Sequence, residues 1–177
     1  MAEKKVTVET LEEEKLKELL DIGGRLWLTI DGLWIQSVER ELGTQKCLEM
    51  YTKIMAQNGA IEARRLGRFL GLPEGKAKID EVIAARGLFN GGVRSEHKWI
   101  SDKEVILDLY NCRPQQGRAE KGQPIFPCKE METAHLGSFT RQLNPKLKVE
   151  CLFCPPDERP ADVPKEVSCR WKITSEE

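Results

Sequence analysis

The chain has 177 residues, with 28 Lys+Arg against 29 Asp+Glu, a formal charge of −1 and 32% charged residues. That length suits one core that needs no disulfide staples, so a single domain is expected over 1–177, with a helical half at 10–90 and a cysteine-bearing sheet half at 91–177. Lacking a basic excess, the chain is expected to bind neither nucleic acid nor an anionic membrane.

Six cysteines are too sparse for a disulfide scaffold, and residues 1–17 are charged rather than apolar. The expectation is a cytoplasmic protein with reduced thiols. The most apolar stretch, 26–38, contains Asp31, Gln36 and Ser37 and is too short and too polar to span a bilayer.

Thr10 and Glu13 have the spacing of a capping box, which predicts a helix from about residue 11. Leu16, Leu19, Leu20, Leu26, Ile30 and Leu33 recur at intervals of three and four, and Gly23-Gly24 is expected to bend or divide the rod before Gly43 ends it. A second long helix follows from Thr44, closed by Gly71 and Pro73, and a shorter one spans 76–86. After Phe89-Asn90-Gly91-Gly92 the period changes to that of strands, with a hairpin of 93–100 and 104–111 turning at Ser101-Asp102. Helices are predicted at 114–120 and 131–143. Two strands close the chain, each with one apolar face: Leu147, Val149, Cys151 and Phe153 on the first, and Val167, Cys169, Trp171 and Ile173 on the second. The expected class is α+β, with N-terminal helices on a mostly antiparallel sheet.

The cysteines are distributed unevenly. Cys112, Cys128, Cys151, Cys154 and Cys169 all follow residue 111, and only Cys47, expected to be structural, lies in the helical half. If the last two strands pair, Cys151 and Cys169 share a patch of sheet, and Cys154 closes a Cys-x-x-Cys pair at a chain reversal. Cys112 and Cys128 also fall where the chain turns. Zinc takes thiolates from such turns, and iron or an iron–sulfur cluster would be compatible. The competing reading is that these are small buried hydrophobes. A redox role for Cys151-Leu-Phe-Cys154 is disfavoured, because Pro155-Pro156 follows instead of a helix N-terminus.

Asp31 falls inside the stripe Trp27, Trp34 and Val38, so its carboxylate needs a partner. An ion pair with Arg64 or Arg65 is one expectation, and contact with a ligand, shared with Trp34, is the other. Gln115, Gln116 and Arg118 follow Cys112 and offer donors to a carboxylate-bearing ligand. His97 and His135 read as solvated residues. No catalytic triad, phosphate loop or His-Glu-x-x-His appears.

The run Cys112-Arg-Pro-Gln115-Gln116-Gly-Arg118, Gly122, Phe126-Pro-Cys128, Cys151-Leu-Phe-Cys154-Pro-Pro-Asp157 and Cys169-Arg-Trp171 resembles a family of small bacterial and archaeal proteins of unassigned function. Trp27-Leu-Thr-Ile-Asp31-Gly32-Leu-Trp34 and Glu62-Ala-Arg64-Arg65 match the same family. More remotely, the order of elements and the closing Cys-x-aromatic strand are similar to L-2-amino-thiazoline-4-carboxylate hydrolases and to vinyl-reductase ligand-binding domains. The latter resemblance implies a pocket between helices and sheet for a small ligand, and a cysteine-ligated zinc. The long Pro-rich loop between Cys154 and Cys169 departs from that pattern. The resulting expectation is a small-ligand-binding or sensing domain with a metal site, possible as a homodimer through its N-terminal helices. The alternative is a hydrolase acting on a cyclic amide or thiazoline-like substrate.

Overall fold

The computed structural model describes residues 7–88 and 93–176. Three helices come first, α1 (Glu13–Leu42), α2 (Thr44–Leu70) and α3 (Ile79–Gly87). A hairpin of β1 (Arg94–Ser101) and β2 (Glu104–Tyr110) follows, then α4 (Arg113–Glu120) and α5 (Lys129–Leu143), and finally β3 (Leu147–Phe153) and β4 (Val167–Ser175). The strands form one antiparallel sheet in the order β1-β2-β4-β3. This is the expected α+β class. The Phe89-Asn90-Gly91-Gly92 break lies outside the described residues, as do residues 1–6 of the charged opening.

Two expectations about α1 are corrected. Thr10 does not cap it: the Thr10 hydroxyl accepts the Thr7 N–H and donates to the Thr7 carbonyl, both at 2.9 Å, closing a separate turn at Val8–Thr10. Nor do Gly23 and Gly24 divide the rod, which runs unbroken for 30 residues. A helical glycine costs about 1 kcal/mol relative to alanine without forbidding the conformation, and the long flanking turns carry that cost. Gly43, at φ +80°, makes the tight joint between α1 and α2.

The closest helix packing is between α2 and α5. Gly59, Ala63 and Gly67 recur every four residues and so line one face of α2. A Cβ on Gly59 would collide with the His135 carbonyl and the Ser138 hydroxyl, and one on Gly67 would press on Leu143. Absent side chains thus let the two helices approach closely, which fixes what faces what further along α2. Under this pair lies the main core, where Val82, Ile83, Phe139 and Leu143 meet Val105, Leu147 and Ile173 of the sheet. Each such fully buried side chain contributes about 1.5–3 kcal/mol.

The other long helix behaves differently. Only Gly24 of α1 is buried, while Leu20 (75% exposed), Leu26 and Trp34 (66%) face outward. No helix among the described residues is long and apolar enough to cross a membrane.

Candidate functional site

Between α1, α2, α4, α5 and one end of the sheet lies a half-open cavity of about 910 Å³. That volume falls in the range of small-molecule sites, which are mostly apolar with a few convergent polar groups. Trp27, Ile35, Tyr51, Met55, Phe126 and Met131 supply much of the apolar wall.

One wall is held by residues expected to touch a ligand. The Gln115 side-chain amide donates to the Phe126 carbonyl at 2.7 Å and accepts the Phe126 N–H at 3.1 Å, clamping the following loop to α4. Arg118 is buried, and its Nε donates to the Pro124 carbonyl at 2.7 Å. Its two terminal nitrogens grip both oxygens of Glu39 on α1 at 2.7 and 3.1 Å. The guanidinium, through hydrogen bonding first, holds the Glu39 carboxyl below the usual range. Both side chains line the cavity, yet these donors are engaged in tying α1, α4 and the loop together. Gln116 is exposed and Trp34 points outward, and neither is among the lining residues.

Asp31 does line the cavity. It meets neither Arg64 nor Arg65. Instead the Tyr51 hydroxyl of α2 donates to its Oδ2 at 2.6 Å, because Tyr51, and neither arginine, stands opposite it along the antiparallel helix pair. Burial pushes the Asp31 carboxyl above its ordinary pKa, and the Tyr51 hydrogen bond only partly offsets this.

His135 is corrected from a solvated residue to a buried one, because the close α2–α5 approach carries it onto Glu62. Its Nε2 lies 2.9 Å from Glu62 Oε2, and its Nδ1 lies 3.6 Å from Glu132 Oε1 one turn earlier on α5. Arg86 of α3 approaches both carboxylates at 3.9 and 3.8 Å. Burial alone would lower the imidazole pKa, but the Glu132 and Glu62 carboxylates outweigh it and raise it to about 9. Glu132 is correspondingly held low against its own burial. The Glu132–His135 spacing of three on a helix was legible in the sequence, whereas Glu62 and Arg86 join them only through the fold. His97, on edge strand β1, is exposed as expected.

The floor of the cavity carries Cys112, Cys128, Cys154 and Cys169. All six cysteines are free, and Cys47 is buried between α1 and α2 with its sulfur 3.6 Å from the Ile35 carbonyl. Three chain reversals deliver Cys112, Cys128 and Cys154, while Cys151 and Cys169 lie within β3 and β4. Asn111, in the left-handed region at φ 53°, turns the chain out of β2 so that Cys112 becomes the N-cap of α4. Cys128 is the N-cap of α5. Cys154 opens the turn after β3, where the Asp157 N–H bonds back to its carbonyl at 3.0 Å and Lys129 pairs with Asp157 at 2.9 Å.

Register shifts in the β2–β4 and β3–β4 ladders, at Leu109/Tyr110 and Cys151/Phe153, both fall at this end of the sheet. Such bulges re-aim side chains. The Cys128 and Cys154 sulfurs stand 3.7 Å apart, and Cys151 and Cys169 pack in the same cluster with Trp171. Interactions with Cys128, Cys151 and Cys169 raise the Cys154 pKa, while the same contacts lower those of Cys128 and Cys151. Burial pushes Cys112 up to about 12. Among the described residues, as the side chains stand, no three His, Cys, Asp or Glu donors form a ready metal-binding group.

This architecture is shared with a protein module of known response. The structure of the phenol-responsive sensory domain of the transcription activator PoxR with phenol is similar at a TM-score of 0.54 and 14% identity, covering 81% of this chain and 72% of that one. At that identity the likeness is one of fold. The chain itself belongs to the family of unknown function DUF6125, whose model matches residues 9–175. No curated protein matches it.

Proposed function

We propose that this protein is a sensing domain that takes a small, largely apolar organic molecule into the cavity between its helices and sheet. The observation that carries this reading is the cavity itself, about 910 Å³ with Asp31, Tyr51 and the Glu62–His135–Glu132 group set in an apolar wall. The fold shared with a phenol-responsive sensory domain supports it. Ligand-contacting roles fall to Asp31 and the apolar wall, with Gln115 and Arg118 positioning that wall.

A thermal-denaturation screen of small aromatic and heterocyclic compounds tests the reading. A ligand at 100 times its Kd stabilises the folded chain by about 2.7 kcal/mol, enough to move the midpoint by several degrees. A screen in which no compound shifts the midpoint counts against it.

The second part of the proposal is a zinc ion held by the thiols at the floor. Zinc–thiolate bonds of about 2.3 Å in a tetrahedron separate the sulfurs by about 3.8 Å, and the Cys128–Cys154 separation of 3.7 Å fits one edge. Cys151 and Cys169 are the remaining donors of the cluster, and Cys112 is near enough for the charges of Cys128 and Cys169 to act on its thiol. The ion would lock the N-terminus of α5 and the end of β3 to the sheet and so fix the cavity floor. Iron or an iron–sulfur cluster is the alternative occupant. Elemental analysis of anaerobically purified protein should give about one zinc per chain, lost in Cys154→Ser; visible absorption with iron would transfer the site to iron. Metal-free protein of undiminished stability would refute the proposal.

The third part is a homodimer through α1. Leu20, Leu26 and Trp34 expose a broad apolar strip on one long helix, and exposed patches of that kind mark association surfaces.

A further inference from the structure

We infer that the cavity selects organic amines, with the ligand's ammonium group seated on the Asp31 carboxylate; this rests on the small-ligand reading above. The inference comes from how the charges lining the cavity are balanced. Arg118 answers Glu39 and Arg25 answers Asp21, at 2.7 and 2.5 Å. His135 lies between Glu62 and Glu132, with Arg86 within reach of both. Among the acids of the lining Asp31 is the exception: among the described residues no cation lies within ion-pairing distance of it, and its hydrogen bond comes from the neutral Tyr51 hydroxyl.

A half-buried carboxylate without a counter-charge is costly, and a cationic ligand removes that cost by supplying a charge-assisted hydrogen bond. The bond from Tyr51 at 2.6 Å uses Oδ2 and holds the carboxylate in place, so the other oxygen remains for the ligand.

The surrounding wall suits the rest of such a molecule. Trp27 stands one turn before Asp31 on α1, and Tyr51 meets Phe126 edge to face with ring centroids 6.4 Å apart. Aromatic faces next to an acid attract ammonium groups and pack an aryl or alkyl body. A neutral alcohol or phenol gives the Asp31 carboxylate a hydrogen bond but no opposite charge, and so a weaker hold. An organic acid is repelled by Asp31, although the exposed Arg65, Arg113 and Lys121 on the lining would favour it. The charge on the ligand therefore discriminates among the three classes.

Calorimetric titration of the full chain with 2-phenylethylamine, 2-phenylethanol and 3-phenylpropanoate tests this, since the three share a body and differ in head group. The amine is expected to bind roughly tenfold or more tightly than the alcohol, in keeping with the strength of hydrogen bonds to charged groups. In Asp31→Asn the amine's affinity should fall by roughly tenfold or more relative to the alcohol's, so that the preference disappears. If the alcohol or the acid binds as well as the amine to the unaltered chain, amine selection is overturned and the cavity reading stands. If none of the three binds, amine selection is again overturned, and the cavity reading falls only if the wider compound screen is also silent.

Discussion

Arg118 shows how a side chain chosen from sequence for its chemistry can have a different task. Its donors were legible, but its partner Glu39 lies 79 positions away, and only the fold reveals that the pair is buried. Removing one partner of a buried ion pair typically costs 3–5 kcal/mol, so Arg118→Met should lower unfolding free energy in urea by about 3 kcal/mol. A loss below about 1 kcal/mol would place the pair in the class of exposed salt bridges. His135 makes a pH-dependent prediction. Its pKa rises from 6.5 in the unfolded chain to about 9 in the folded one, so the native state holds the proton more tightly. That contribution is complete below about pH 6.5 and fades as pH rises to about 9. The stability difference between the natural chain and His135→Gln should therefore shrink across that window. A difference independent of pH would show that the imidazole is neutral.

At the scale of elements, most of the fold could be read in advance because it depends on local periodicity. The ends of α1 and α2 at Gly43 and Gly71, both hairpin strands and the apolar faces of β3 and β4 lie where the pattern puts them. Gly23 and Gly24 were misread because propensity is a weak local cost that a long helix absorbs. The role of Gly59 is not legible in the sequence, because nothing beside it in the chain reveals that α5 crosses there. Its replacement by alanine forces α2 and α5 apart at His135, and overpacking of this kind costs about 1–3 kcal/mol. Gly59→Ala should therefore lower the thermal midpoint by several degrees, whereas Gly23→Ala, which meets nothing within 4 Å, should hold or raise it. The same pattern-based reading placed Cys151 and Cys169 on two strands that do pair, but not the turn at Asn111 or the ladder shifts near them.

For the whole molecule, α1 poses the main question. A helix of 30 residues with a single buried position contributes little to its own core, and it forms one side of the cavity. A partner copy packed on its outer strip would bury apolar surface and steady that side. Light scattering should find twice the chain mass, reduced to one chain mass by Trp34→Glu; a natural chain that is monomeric at high concentration would contradict the dimer. The cavity was invisible in the sequence, since its lining is drawn from stretches far apart in the chain, but its contents can be tested directly. The decisive measurement is a calorimetric titration of phenol, indole and 2-phenylethylamine into the natural chain and into Ile61→Trp, which adds bulk at an exposed position on the lining without opening the core. At least one of these compounds should bind the natural chain at one molecule per chain and bind Ile61→Trp at least roughly tenfold more weakly, as lost packing and steric exclusion dictate. Absence of binding by all three together with a silent compound screen, or binding unchanged by the added indole ring, would contradict a ligand site in this cavity.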